Sequence, residues 1–353
     1  MIDTDAKLAS FLPVLHTATW LALDTEADSL HAYPEKVCLI QITTATGDRL
    51  IDPLARINLD PLFAALGKHD LIMHGADYDL RLLSKHHEFV PDIIFDTMLA
   101  ARLLGEKQFG LSSLTDKYLG VKLDKASQKA DWARRPLTDR MEAYARNDTH
   151  HLKPLADKLK AGLQQKRRLD WHRESCARLI ADCAKSPVCD RDSVWRVKGS
   201  YALDRAALAV LREIWQWRET EAIAANRPPF FILSHDKMVE LAGAAGHRPV
   251  EPLLPPRMSP RRRDTLLAAI RAGAMLPHDR YPERIRHHSP RPTEAEMRRY
   301  RELERRRNGH AHKLGIDPTV IASKATLGEL ARNWDRYAPE LMNWQRELLK
   351  QPG

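Results

Sequence analysis

Two carboxylates stand one residue apart at the end of an apolar run, Trp20-Leu21-Ala22-Leu23-Asp24-Thr25-Glu26. On a β-strand, side chains two positions apart leave the same face, so Asp24 and Glu26 project together. Two anions side by side are unfavourable unless a cation or a proton lies between them. A second acidic element, His74-Gly75-Ala76-Asp77-Tyr78-Asp79-Leu80, follows a short apolar run at 71–74. Ligands of open α/β sheets gather beyond strand ends, which is where this pair would fall. Asp77 has an alternative role there as a helix N-cap, and Asp79 in the first turn would favour the helix dipole. The third element is Tyr144-Ala145-Arg146-Asn147-Asp148, in which a phenol and a carboxylate four residues apart share a helix face. Its alternative is an amphipathic helix with a half-buried tyrosine.

Each element is commonplace alone; together they form a constellation. Asp24, Glu26, Asp79 and Asp148 offer carboxylate oxygens without His or Cys, a donor set for hard ions, Mg²⁺ or Mn²⁺, rather than zinc. Two such ions about 3.5–4 Å apart stabilise both the attacking and the leaving oxygen of phosphodiester hydrolysis. With a reference pKa of about 10, Tyr144 stays neutral at pH 7 and suits orienting a water better than deprotonating it.

These residues need elements to hold them. Strand-like runs at 20–24, 37–42, 49–52 and 71–74 alternate with helical spacing at 59–66 and through Leu80, Leu82 and Leu83. Helices are expected again at 96–104, 111–119 and 138–147, giving an α/β layer architecture. From Thr149 to about Ala184 the pattern stays helical and turns basic at Lys166-Arg167-Arg168, which reads as a linker helix. Helices at 203–225 and 238–245 flank the stop Asn226-Arg227-Pro228-Pro229-Phe230, and proline-rich 277–292 reads as a second linker. Residues 293–350 are helical and open on a Thr293-x-x-Glu296 capping box. No short-period repeat is present, but the two C-terminal helical segments are similar in size and could be copies of one module. The expected divisions are 1–165, 166–200, 201–276, 277–292 and 293–353.

Composition narrows the class. At about 150 residues per domain, 353 residues suggest two or three domains. Apolar residues make up 43% and charged residues 29%, an ordinary globular balance, and only 7% aromatics imply an aliphatic core. No apolar run approaches the ~20 residues that span a bilayer. The acidic start Met1-Ile2-Asp3-Thr4-Asp5 is unlike a signal peptide, and Cys38, Cys176, Cys183 and Cys189 lack disulfide or zinc spacing, so a cytoplasmic protein with reduced thiols is expected. Residues 1–160 carry 20 Lys and Arg against 23 Asp and Glu, while 161–353 carry 36 against 24. An acidic front half suits metal ions and a basic back half suits a polyanion, or else the Arg-rich helices are solvated surface.

In order and spacing the three acidic elements resemble the DEDD superfamily of 3′-5′ exonucleases, in the branch with Tyr four residues before the last Asp. Leu123-Asp124-Lys125 through Asp131-Trp132-Ala133-Arg134-Arg135-Pro136-Leu137 is similar to a stretch typical of the ribonuclease D family within it. Leu211-Arg212-Glu213 through Trp217-Arg218, Pro229-Phe230-Phe231-Ile232-Leu233-Ser234 and Leu241-Ala242 resemble an HRDC domain. Gly315-Ile316-Asp317-Pro318 with Ala322-Ser323-Lys324 resembles the second such domain of that family.

The resemblance implies a ribonuclease H-like exonuclease domain, a mixed sheet flanked by helices with the carboxylates at one sheet edge, followed by all-α HRDC-type domains. It implies that Asp24 bridges two metal ions, that Glu26 and Asp148 hold the one bearing the attacking water, that Asp79 supports the second through water, and that Tyr144 positions the attack. The implied activity is 3′-to-5′ trimming of structured RNA with a single-stranded 3′ end, tRNA precursors above all, releasing nucleoside 5′-monophosphates. DNA is an alternative substrate, and a non-catalytic nucleic-acid-binding protein is an alternative class; no obligate protein partner is evident. Lys125, Arg134 and Arg135 are candidate phosphate contacts or exposed helix-end charges. Arg261-Arg262-Arg263 and Arg305-Arg306-Arg307 are candidates for a basic surface following RNA, or solubilising faces. His150 and His151 suit a solvated helix face, Asp96 a helix cap with support of the site as its alternative, and Trp215 and Trp217 the core and rim of a bundle.

Overall fold

The computed structural model describes residues 1–124, 126–185, 190, 192–285 and 292–350. Five strands, β1 (Leu21–Ala27), β2 (Val37–Thr44), β3 (Gly47–Ile51), β4 (Leu71–Met73) and β5 (Ile94–Asp96), form one mixed sheet in the order β3-β2-β1-β4-β5. β1 pairs antiparallel with β2 and parallel with β4, so the strand carrying Asp24 and Glu26 is central.

Eight helices accompany the sheet: α1 (Asp5–Thr17), α2 (Asp60–Leu66), α3 (Asp77–His87), α4 (Thr97–Leu104), α5 (Leu111–Leu119), α6 (Asp139–His150), α7 (Leu152–Gln165) and α8 (Leu169–Ala184). Alternation along the strands decides which helices cover which face. Leu21 and Leu23 of β1, with Ile40 and Ile42 of β2, pack against Leu8, Phe11 and Leu15 of α1, Leu80 and Leu83 of α3, and Cys176 and Cys183 of α8. Leu39 and Leu50 face Met141 and Ala145 of α6, while Ala22 faces Leu152 and Ala156 of α7. Ala22, Asp24 and Glu26 share parity, so both carboxylates point to the side that α6 covers.

Three expectations change. β5 and α1 were not foreseen: three residues give no alternation to read, and Pro13 inside α1 masks the helical pattern. The linker helix expected from 166 is part of this layer, since Cys176 and Cys183 are buried in its core. Of the basic tripeptide that marked it, the exposed Lys166 donates from Nζ to Leu104 O at 2.9 Å, and the buried Arg168 donates to Leu103 O and Leu314 O at 2.6 Å each. These are carbonyls at helix C-termini, where cations are favoured.

Helices α9 (Arg205–Ala225), α10 (Pro229–Ile232), α11 (His235–Ala244) and α12 (Pro260–Ala274) form a second compact unit with its own aliphatic core. The loop 28–35 between β1 and β2 belongs to it: Tyr33 donates from its hydroxyl to Glu219 at 2.5 Å and from its backbone to Asn226 Oδ1 at 3.3 Å. Trp215 and Trp217 pack at the rim of this core, and Trp217 Nε1 donates to Thr265.

The C-terminal segment holds α13 (Glu294–Leu314), α14 (Pro318–Ile321), α15 (Lys324–Arg332), α16 (Trp334–Tyr337) and α17 (Asn343–Leu349). Its first three helices begin at 294, 318 and 324, where those of the second unit begin at 205, 229 and 235; each difference is 89. The buried positions repeat at that offset: Ile214 and Leu303, Arg218 and Arg307, Ala222 and Ala311, Met238 and Leu327, Leu241 and Leu330. The local architecture is therefore a repeated module, as similarity in size suggested. The second copy is not a separate body, however, because Leu303, Ala311, Ile316 and Leu327 share one core with Ala100, Leu104, Leu155 and Leu163 of the sheet domain. Gly105 lies at this junction with φ +93°, and a Cβ there would stand 1.9 Å from Gly315 O. Among the described residues no helix is long and apolar enough to cross a membrane.

Candidate active site

Asp24 and Glu26 leave β1 on the face covered by α6, and Asp148 of α6 joins them: one carboxylate oxygen from each lies within 4.8 Å of the others. Thr138 caps α6 by accepting from Met141 N, and further along the same helix Thr149 Oγ1 lies 2.7 Å from Thr43 Oγ1 of β2. That anchor fixes the helix rotation one residue from Asp148. Tyr144, one turn earlier on the same helix face, lies close enough to Asp148 for each group to shift the other's titration. Its ring packs against the buried Trp132, with centroids 5.9 Å apart. Burial and the charges of Asp148, Glu26 and Asp24 push the phenol well above its ordinary range, so it keeps its proton.

Asp79 stands beside this trio rather than within it. It is buried in the first turn of α3 and accepts at 2.5 Å from Thr25, whose side chain leaves the opposite face of β1 from its two acidic neighbours. Asp77 points elsewhere: it is exposed and pairs with Arg81 at 3.1 Å, and the N-cap position belongs to Ala76. The turn before α3 is built to fit. Gly75 takes φ +66°, and the buried Asp96 caps α4 through Met98 N and Leu99 N while also accepting from Ala76 N at 2.8 Å and Gly75 N at 3.2 Å. The cap role expected of Asp96 thus extends to holding the Asp79 turn in place.

The electrostatics are those of an unneutralised anionic cluster. Burial, then the charges of Asp79, Asp148 and Glu26, hold the Asp24 carboxyl well above the usual range. Burial and the charges of Asp148 and Asp79 push Glu26 to about 9. Burial raises Asp148 to about 7 against the opposing influence of the Tyr144 hydroxyl, and raises Asp79 to about 6 against the Thr25 hydrogen bond. Among the described residues no Lys or Arg pairs with any of the four. A hard divalent cation fits such a donor set: it supplies the missing positive charge and prefers carboxylate oxygens.

The other predicted site residues divide differently. Lys125 lies outside the described residues, as does Cys189. Arg134 is exposed, with no side-chain hydrogen bond among the described residues. Arg135 stands as an internal strut in this structure. Its five donors are all engaged, with Asp52 Oδ1 and Oδ2 at 2.6 Å, Cys38 O at 2.7 Å, and Trp132 O and Arg134 O at 2.8 Å. His150 meets Asp48 at 2.9 Å and sits edge-on to His151, outside the acidic trio. The two arginine runs make ion pairs within their own modules, with Arg261 and Arg305 still exposed. Arg261 and Arg262 both bind the buried Glu221, Arg305 and Arg306 bind Glu302, and the buried Arg307 donates to Ala322 O and Asn308. Thr25 and Trp132 support the site without having been singled out for it. A polar residue inside an apolar strand was the available signal for Thr25.

A family model described as 3′-5′ exonuclease matches residues 1–164, and the HRDC domain model matches 207–247. Fold and acidic site together thus define a 3′-5′ exonuclease carrying an HRDC domain. The ribonuclease D of Pseudomonas paraeruginosa is 30% identical over 363 residues, covering 99% of this chain and 95% of that protein. The chain belongs to the ribonuclease D family and is a 3′-5′ exoribonuclease. The structure of Escherichia coli RNase D matches with a TM-score of 0.76 at 24% identity, over 100% of this chain and 92% of that one. The catalytic core of RRP6 from Trypanosoma brucei matches with a TM-score of 0.65 at 27% identity, over 77% of each chain.

Proposed function

We propose that this exoribonuclease trims the 3′ ends of structured RNA, with tRNA precursors as its substrate class, and releases nucleoside 5′-monophosphates in the cytoplasm. One observation carries the reading of the site: three carboxylates on β1 and α6 converge within 4.8 Å, with the Tyr144 phenol beside them. Asp24, Glu26, Asp79 and Asp148 would hold two divalent ions, Mg²⁺ or Mn²⁺, which when bound activate the attacking water and neutralise charge on the leaving 3′ oxygen. Tyr144 keeps its proton and offers its hydroxyl to orient that water. Thr25 and the Asp96-held turn fix Asp79. The substrate class draws support from Escherichia coli RNase D, described as an exoribonuclease involved in structured RNA processing.

The test uses a 5′-labelled RNA with an unpaired 3′ tail, incubated with Mg²⁺, Mn²⁺ or chelator, beside a DNA strand of the same sequence. A ladder shortening from the 3′ end is expected with metal only, and only in the wild type when Asp24→Ala and Asp148→Asn are run alongside. Faster loss of the DNA would overturn the substrate reading. Undiminished turnover in either variant would overturn the site.

A further inference from the structure

β2 is buried along its whole length, and it carries a polar side chain with no visible purpose. Thr43 Oγ1 lies 2.7 Å from Asp48 and from Thr149, and Thr44 Oγ1 lies 2.9 Å from Thr46. Gln41 is 0% exposed, yet among the described residues neither its Oε1 nor its Nε2 has a hydrogen-bond partner. A buried carboxamide with both ends idle is costly, and each such group in a folded protein calls for a reason.

Register supplies one. In the antiparallel ladder Gln41 stands directly opposite Asp24. Opposed residues leave the same face with Cβ atoms about 4.5–5.5 Å apart, so a carboxamide on one reaches a carboxylate on the other. On the other flank Gln41 opposes Leu50, which offers no polar partner. A carboxylate that holds a cation keeps its rotation through a hydrogen bond to its remaining oxygen. We propose that Gln41 is a positioning residue for Asp24, donating from Nε2 to the carboxylate oxygen turned away from the ion. This rests on the reading of the acidic cluster as a metal site. A glutamine suits the place because it donates without adding a fifth negative charge.

The test is Mn²⁺ binding to the full chain without RNA, by titration calorimetry and the Mn²⁺ paramagnetic resonance spectrum, for wild type, Asp148→Asn and Gln41→Met. Methionine keeps the length and removes both polar ends. Mn²⁺ affinity should fall about 10–100-fold in Gln41→Met, the scale for a lost partner of a metal ligand, with an altered spectrum. The metal-free Tm should be unchanged or higher, because an unmet polar group has gone. Gln41→Leu is read the same way should the methionine variant fail to fold. Wild-type affinity in the folded variant overturns this inference alone. Absence of Mn²⁺ binding by wild type, or wild-type affinity in Asp148→Asn, overturns the metal site and this inference with it.

Discussion

Removing the guanidinium of Arg135 separates a strut from a phosphate contact. Arg135 closes a bidentate pair with Asp52 at 2.6 Å, and Asp52 is only 6% exposed. The same carboxylate accepts from Leu54 N at 2.9 Å, which fixes the turn after β3. In Arg135→Gln the Asp52 carboxylate stays behind without its cation, and Cys38 O and Trp132 O lose their donor. Breaking one side of a buried pair costs about 3–5 kcal/mol. At about 2–4 °C per kcal/mol for a unit of 150–250 residues, Tm should fall by about 6–20 °C. A phosphate contact predicts something else: weaker RNA binding at every sequence, and a salt slope shallower by about one, with stability unchanged. Scanning calorimetry and RNA-binding titrations at several salt concentrations, with exposed Arg134→Gln as companion, distinguish the two. A Tm within about 2 °C of wild type together with a flattened salt slope would refute the strut.

Three further outcomes are expected. Glu26, Asp79 and Asp148 have folded-state values of about 9, 6 and 7 against unfolded values of roughly 4, so the folded chain holds more protons than the unfolded chain between those limits. Metal-free stability therefore falls as pH rises from about 4 to 9, Mn²⁺ offsets the fall, and Asp148→Asn makes the slope shallower; a wild-type minus variant difference in Tm that grows with pH contradicts this. Tyr144→Phe keeps the packing on Trp132 and loses only the hydroxyl, so kcat should drop about 100-fold with KM retained in a single-nucleotide release assay. Unchanged kcat would reduce Tyr144 to a packing residue. Gly105→Ala collides with Gly315 O and must leave a positive φ, so it should cost more than about 1 kcal/mol and expose 293–350 to protease, whereas wild-type resistance would mean that the junction yields.

The acidic constellation was legible because its geometry is local. Strand alternation puts Asp24 and Glu26 on one face, and helical spacing puts Tyr144 beside Asp148, whatever the rest of the chain does. Only the meeting of β1 with α6 had to come from the fold, and there the alternation of Ala22, Asp24 and Glu26 already selected the face. Motif spacing favoured Asp79 over Asp77, although both fall in one helical turn; the Arg81 pair and the Thr25 hydroxyl separate them in the structure, and each depends on the exact rotation of α3.

The arginines were illegible for the opposite reason. A guanidinium has five donors, and its role depends on how many tertiary partners they find. Lys166-Arg167-Arg168 read as a basic linker, yet Arg168 sits buried on carbonyls from two distant helix ends. Arg218 and Arg307 show that this is a rule of the module rather than an accident of one site. They fall 89 positions apart, both are buried, and each donates to the side chain that follows it, Glu219 or Asn308. Arg168, Arg218 and Arg307 are therefore withdrawn from any RNA surface, and the salt slope of RNA binding should report the exposed cations alone.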